Sequence, residues 1–350
     1  VKKILSLAAS TIRLFIIILL LISNSKAVEK NIKYYSDDKG ILSLMYHRFN
    51  EDRYPSTNIQ MDIFKKQIEI IKKSKYNFYD PIDLEKNFLT PKIEKKILIT
   101  IDDAFSSFYE FAWPYLKREN IPFILFVSTK AVGKRGYMTW DQLKELEKEK
   151  ITYIGNHSHS HDYLVDLKND DFIMDINNSS IIFKNKLGYN PIFFSYPFGE
   201  YSSLIKEYIS KNFKFSFGQH SGVIDVNKDR YELPRFPINE KYGDLERFNF
   251  LINLNPLQYK SLYPMEKYLT NKNPPKFIVE FFDEQKNIHK INCFSDEGYK
   301  WKKSNISFDQ NILNLNFRDK FKFRRGRINC SLNDDGVWRW FGVQFSIKQN

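Results

Sequence analysis

The 350-residue sequence predicts an α/β fold, a parallel sheet either open or closed into a barrel, followed by a small all-β module. Three observations lead there. Between residues 41 and 238, short apolar runs alternate with amphipathic stretches, as successive βα units require. Seven such runs occur, a number that suits a barrel short of eight strands. Beyond about residue 250 the helical spacing stops, and short aromatic, β-prone segments follow one another.

The seven runs are 41–47 (ILSLMYH), 97–103 (ILITIDD), 122–129 (PFILFVST), 153–157 (YIGNH), 191–197 (PIFFSYP), 213–220 (FKFSFGQH) and 233–238 (LPRFPI). The intervening segments 61–73, 105–119, 139–150, 170–187 and 202–211 read as helices; the first carries Ile63, Phe64, Ile68 and Ile71 near helical spacing, and Thr139 is an N-cap. Polar residues gather at the C-terminal ends of the runs: Tyr46-His47, Asp102-Asp103, His157, Pro197-Phe198-Gly199 and His220. In α/β barrels that end of the strands carries the chemistry. The β module draws on 277–282, 291–294, 312–317, 327–332 and 337–347, with 253–273 as connector. The expected division is therefore 1–27 leader, 28–250 barrel and 251–350 accessory module.

Composition sets outer bounds. Hydrophobic residues make up 42%, with 31 Phe and 21 Tyr, which supplies a core and excludes general disorder. With 13 Gly and 13 Pro, collagen-like and Pro/Gly-rich classes are excluded too. The net charge of +12 admits nucleic acid, acidic glycans or a membrane surface as partners. No basic stripe or nucleic-acid motif accompanies it, so nucleic acid is not expected. Lys2 and Lys3, the apolar run 14–22 and the small residues up to Ala27 read as a secretory signal peptide cleaved after Ala27. The alternative is an uncleaved anchor, although the run is short for a span. No later stretch would cross a bilayer, so the mature chain is expected to be exported, periplasmic or secreted. Membrane contact would come only through the N-terminal segment. In such a compartment the two cysteines, Cys293 and Cys330, invite a disulfide; two unrelated buried thiols are the alternative.

Two clusters can carry chemistry. Asp102 and Asp103 follow a strongly apolar strand, where adjacent carboxylates are costly unless used; the plain alternative is a helix N-cap in a turn. His157, Ser158, His159, Ser160 and His161 hold half of the chain's six histidines. His157 and His161 can converge on one ion while His159 faces away, and Asp103 would complete a two-His, one-carboxylate set with open positions for water.

Thr100-Ile101-Asp102-Asp103 resembles the TFDD motif of the polysaccharide deacetylase superfamily (carbohydrate esterase family 4, the nodulation-factor deacetylase homology domain). His157–His161 is similar to its H-(S/T)-x-x-H motif, and Ser195-Tyr196-Pro197-Phe198-Gly199 to its R-x-P-Y-G motif. The resemblance covers about residues 40–240 and implies a distorted (β/α)7 barrel. It implies that Asp103, His157 and His161 bind a divalent ion, usually Zn2+, and that Asp102 is the general base. The Phe198 backbone N–H would hold the oxyanion, and His220 would protonate the leaving amine, although the family's L-x-H context is missing around it. Ser195 stands where the family commonly has Arg, and Arg235 is the candidate to supply that charge from the next strand; a surface or structural ion pair is its alternative. The Leu-Pro-Arg segment and the Tyr-Pro-Phe-Gly version of motif three resemble exported poly-N-acetylglucosamine deacetylases.

His47 is expected to line the pocket, as substrate contact or support. Tyr196 and Trp140 are candidates to stack on sugars, with core packing as the alternative. Trp338 and Trp340 share one strand face, which would be either a sugar platform or the module's core, the latter favoured. The expected partner is a cell-envelope or exopolysaccharide glycan. A catalytically silent carbohydrate-binding protein and an O-acetyl esterase on a xylan-like glycan are the competing functions.

Overall fold

All seven apolar runs form strands of one sheet. The computed structural model describes residues 40–348 apart from 90–95, 226 and 299, and the expected signal peptide lies outside the described residues. β1 (Ile41–Tyr46) pairs in parallel with β2 (Lys96–Ile101) along its whole length, Ile41 opposite Lys96 and Tyr46 opposite Ile101. β3 (Phe123–Val127), β4 (Thr152–Asn156), β5 (Phe193–Ser195) and β6 (Phe215–Phe217) follow in order, each parallel to its neighbour. β7 (Phe236–Pro237) pairs in parallel with β1 on its other side, while Leu233, just before it, bridges Phe217 of β6. The run 233–238 therefore touches both edges and curls the sheet into a barrel. Asn77–Phe78 and Val223–Ile224 extend it beside β2 and β1.

The strands are largely apolar because they are covered on both faces. β1 and β3 are buried at every position. Their outer face packs under amphipathic helices. In α1 (Met61–Lys73), Phe64, Ile68 and Ile71 recur at helical spacing and join the core. The segment predicted as one helix over 105–119 turns helical at Ser106 and passes through a π-turn at Phe108–Ala112 before α2 (Trp113–Arg118). Left-handed Asp103 and Ala104 delay the start. Pro114 then supplies no N–H for the i→i−4 ladder, which widens the preceding turn. α3 (Trp140–Glu147) opens on Thr139 with a full capping box to Gln142. α4 (Asn169–Leu187) and α5 (Ser203–Asn212) stand close to their predicted bounds. Among the described residues no helix is long and apolar enough to cross a membrane.

The C-terminal residues build two further, mainly antiparallel sheets around a shared core. One contains β8 (Phe277–Glu280), β10 (Asn305–Asp309) and β11 (Ile312–Asn316); the other contains β9 (Asn292–Asp296), β12 (Arg325–Asp334) and β13 (Val337–Ile347). Phe277, Val279, Leu313 and Leu315 meet Ile328, Phe341 and Phe345 between them, as in a sandwich. Cys293 and Cys330 lie opposite each other on β9 and β12 and form the disulfide.

Trp340 is not part of that core. It packs on the barrel's core and against Phe236, with Trp338 against Phe250. The two Trp do share a face, but β13 turns it to the barrel, and Arg339 points the other way to pair with Asp334. At Gly342 the sandwich backbone comes so near the barrel that a Cβ would clash with the Ser221 carbonyl oxygen.

Candidate active site

The site stands at the C-terminal ends of β1, β2, β4, β5 and β7. β2 ends at Ile101, and the Asp102 N–H still donates to the Tyr46 carbonyl, 2.9 Å, as the ladder's last bond. The chain then breaks sharply, with φ of 74° at Asp103 and 52° at Ala104. After β4, Ser158 (φ 69°) and His161 (φ 61°) are also left-handed, and so is Phe198 (φ 59°) after β5. Each such residue costs on the order of 1–2 kcal/mol. All five lie within the three motif loops, where surrounding bonds must hold them. Around the histidines, the Asp175 carboxylate accepts the N–H groups of His159 and Ser160, and Asn156 Oδ1 accepts that of Ser158. His159 is turned away onto Thr129, while His157 and His161 face the same space, their rings 4.8 Å apart.

Asp103 Oδ1 lies 3.2 Å from His161 Nε2 and 3.6 Å from His157 Nε2. One ligand atom from each of the three residues falls within a 4.8 Å group, the sole metal-type cluster among the described residues. The donor set fits a divalent ion. His157 Nδ1 donates to the Ser195 carbonyl, 2.7 Å, which leaves the lone pair on Nε2. That Nε2 is buried and has no hydrogen-bond partner. Burial pushes the His157 pKa down to about 4, so the ring is neutral, as a ligand must be. For Asp103 burial opposes ionisation, but the hydrogen bond and charge of His161, with His47 and His157, prevail and hold its pKa well below the usual range.

Asp102 is wholly buried beside this group. Arg235 grips it with both ends of the guanidinium, Nη1 to Oδ1 at 2.7 Å and Nη2 to Oδ2 at 2.8 Å. Arg235 is also fully buried, and it donates further to Ser195 Oγ, Thr100 Oγ1 and the Gly218 carbonyl. The small Ser195 thus leaves the space, and an acceptor, for an arginine arriving from the next strand. Burial alone would raise the Asp102 pKa; the charge of Arg235, then His157, then the Arg235 hydrogen bonds and His47, outweigh it and lower it. His47 Nε2 stands 4.0 Å from Asp102 Oδ2.

A cavity of about 770 Å³ opens over the site, with His47, Asp103, His161, Phe198 and His220 in its wall. A second, of about 380 Å³, meets it at Asp103 and His161. His220 is half-buried, and burial pushes its pKa to about 4. Tyr196 takes no part in either wall, contrary to expectation. It is fully buried, its hydroxyl donating to the Tyr231 carbonyl and accepting from Ser216. Side chains alternate across a strand, so Ser195 faces Arg235 and Tyr196 turns away from it. Trp140 likewise packs on Phe183 at the helix edge, and Tyr46 is a core residue donating to Gln67.

Sequence reasoning missed the contribution of the C-terminal sandwich. Gln344 Nε2 donates to the carbonyls of Phe198 and Gly199, 3.1 and 3.3 Å. Arg324 binds Glu200 and Asp166 and lies 3.5 Å over the Tyr163 ring, which stacks on Phe198 at 4.1 Å. Phe198 in turn meets the His161 ring edge-on at 4.7 Å. Arg325, Arg327, Asn329, Phe294 and Trp301 line the larger cavity. The alternation Arg-Gly-Arg-Ile-Asn-Cys over 325–330 was the available signal of a two-faced strand; it did not say what the polar face would meet.

Residues 90–215, which include Asp102, Asp103, His157 and His161, match the polysaccharide deacetylase family model. Among curated proteins, the chain is 24% identical over 240 residues to the poly-beta-1,6-N-acetyl-D-glucosamine N-deacetylase of Staphylococcus aureus, covering 60% of this chain and 82% of that one. Among solved structures, it resembles the Streptococcus pyogenes deacetylase PplD in complex with acetate (TM-score 0.56, 22% identity, 61% of this chain and 99% of that one). It also resembles IcaB from Ammonifex degensii (TM-score 0.55, 24% identity, 61% and 97%). These structures share the fold and cover only about three-fifths of this chain.

Proposed function

We propose that this protein is an exported, metal-dependent hydrolase that removes N-acetyl groups from an N-acetylglucosamine-containing polysaccharide. The observation that carries the reading is the convergence of Asp103, His157 and His161 on one point, with a buried, arginine-gripped Asp102 beside them. The S. aureus relative, named for N-deacetylation of poly-beta-1,6-N-acetyl-D-glucosamine, supports the substrate class.

Asp103, His157 and His161 would hold the ion, Zn2+ by preference for this donor set. Such an ion supplies Lewis-acid polarisation of a carbonyl and a lowered pKa for water. Asp102, ionised at neutral pH, accepts the proton as water adds to the amide carbonyl carbon. Arg235 fixes the orientation of that carboxylate and keeps it charged. The left-handed turn at Phe198 directs its N–H to the oxyanion, a donor worth about 3 kcal/mol in comparable sites. Gln344 holds the loop that carries it. When the C–N bond breaks, the departing amine nitrogen takes a proton; burial keeps His220, in the cavity wall, neutral at rest, so it would act by relaying to that nitrogen the proton Asp102 took from water. Two cavities meeting at Asp103 and His161 suit a polymer that passes through the site more than a free monosaccharide.

Metal content and acetate release, measured together on the chain from Val28 onward, test the proposal. Poly-N-acetylglucosamine, chitin oligomers, peptidoglycan and acetylxylan are offered in parallel. About one equivalent of metal with chelator-sensitive acetate release from an N-acetylated polymer is expected. Release from acetylxylan alone would make it an O-acetyl esterase, and glycan binding without metal or release would make it a binding protein.

A further inference from the structure

We propose that the face of the C-terminal sandwich turned to the ligand triad binds an acidic saccharide unit, so that the polymer deacetylated here carries carboxylate or phosphate groups. The proposal rests on the N-deacetylase reading and names its substrate class more closely. Arg325, Arg327 and Asn329 stand at alternate positions of β12 and line the cavity, while Ile328, Cys330 and Leu332 between and beyond them fill the sandwich core. On β9, Phe294 lies opposite Asn329, and it too lines the cavity, as does Trp301. The cationic residues and the two aromatics therefore form one wall.

The charge on this wall is unbalanced. Among the described residues lining the two cavities, Asp103 is the sole carboxylate, and it belongs to the metal cluster. No carboxylate among the described residues lies within ion-pair distance of Arg327 or of Arg247 across the cavity. Arg325 reaches only Glu200, at 3.7 Å, which Arg324 already binds at 2.8 Å. Lys130 and Lys134 line the cavity on the other side of His161, again without a carboxylate at that distance among the described residues. Asp296, opposite Arg327 on β9, and Glu200 act on the Arg327 charge from beyond ion-pair distance and offset the neighbouring Arg325 only in part; like charges held this close cost stability. A ligand with anionic groups supplies what the protein omits, and the planar guanidinium fork matches carboxylate and phosphate.

The aromatics supply the rest of a sugar site. Phe294 and Trp301 remain 41% and 38% exposed, unusual for rings inside a cavity unless a flat apolar surface such as a sugar face covers them. The wall is also connected to the chemistry. Arg327 Nε donates to Gln344 Oε1, 3.1 Å, and Gln344 Nε2 donates to the Phe198 carbonyl. Occupancy at Arg327 is thus two hydrogen bonds from the Phe198 loop.

The test measures binding to the full chain by calorimetry, with acetate release recorded on the same samples. The probes are a neutral N-acetylglucosamine tetramer, a tetrasaccharide alternating N-acetylglucosamine with glucuronate, and a phosphodiester-linked N-acetylglucosamine oligomer. The wild-type chain should bind at least one acidic probe about tenfold or more tightly than the neutral one at low salt, and that preference should shrink as salt rises. Arg325→Gln/Arg327→Gln should bring the acidic-to-neutral ratio close to unity. The carboxylate and phosphate arms identify the source of the charge. Equal binding of all three probes at low salt, or no binding of either acidic one, overturns the proposal. Because the salt series uses unmodified protein, the test survives poor folding of the double variant. An acidic preference without acetate release from any probe would retain this binding face and reject the N-deacetylase reading; acetate release without the preference would do the reverse.

Discussion

Replacing Arg235 with Met tests the central pair of the site most directly. The side chain is fully buried and makes two bonds to Asp102, with three more to Ser195, Thr100 and Gly218. Met approximates its volume but leaves Asp102 ionised, buried and uncompensated. Removing one partner of a buried pair costs about 3–5 kcal/mol, or roughly 5–10 °C in melting temperature for a chain of this size. The variant's Asp102 should also titrate higher, since the first cause that lowers it has gone and burial remains. Acetate release should therefore fall at neutral pH, with its acid limb moved upward. Asp102→Asn added to Arg235→Met should recover much of the stability and none of the activity, because a neutral amide no longer needs the cation. Urea unfolding and a pH–rate profile are the assays. A change in stability below about 1 kcal/mol in the single variant, with an unmoved acid limb, would refute the view that Arg235 holds Asp102 charged.

Asp103→Ala and His161→Ala should each lose stoichiometric metal and acetate release while remaining folded, and full metal occupancy in either would remove that residue from the ligand set. Cys293→Ser should lower unfolding free energy by up to roughly 4 kcal/mol from loop-closure entropy over the 37-residue separation, with turnover little changed; an unaltered melting temperature under oxidising conditions would contradict it. In chelator, the melting temperature should fall as pH drops from about 6.5 towards 4. His157 and His220 both have folded-state values of about 4, so the unfolded chain binds more protons through that window and the stability present above it is lost. His161, raised mainly by its bond to Asp103 against burial, acts in the opposite sense and only above its ordinary value. A flat stability profile between those limits would sink this account.

The barrel was legible because its strands are buried on both faces and read as short, mostly apolar runs, with site residues at their ends. Even the run 233–238, only two residues of which form a strand, was visible through its apolar spacing. The convergence of Asp103, His157 and His161 was legible because their motifs fall at the ends of such strands. Arg235 was legible only through the family resemblance, as the residue able to replace the arginine expected where Ser195 stands. Tyr196 was misplaced because motif adjacency says nothing about which way a side chain turns: Ser195 faces the site and its neighbour does not. The pairing of Trp338 and Trp340 on one face followed from the strand period, but the partner of that face is a tertiary fact. The cavity wall on β12 was hidden for the same reason, since alternation marks two faces and names neither neighbour.

The bond from Gln344 to the Phe198 carbonyl spans 146 positions of chain. During synthesis, the strands, both aspartates and both ligand histidines emerge long before it can form. A ribosome-bound or truncated chain ending before β13 would hold every motif residue and still lack the tether on the Phe198 loop. Competence for hydrolysis would then arrive late and abruptly, with β13, rather than growing as the barrel fills.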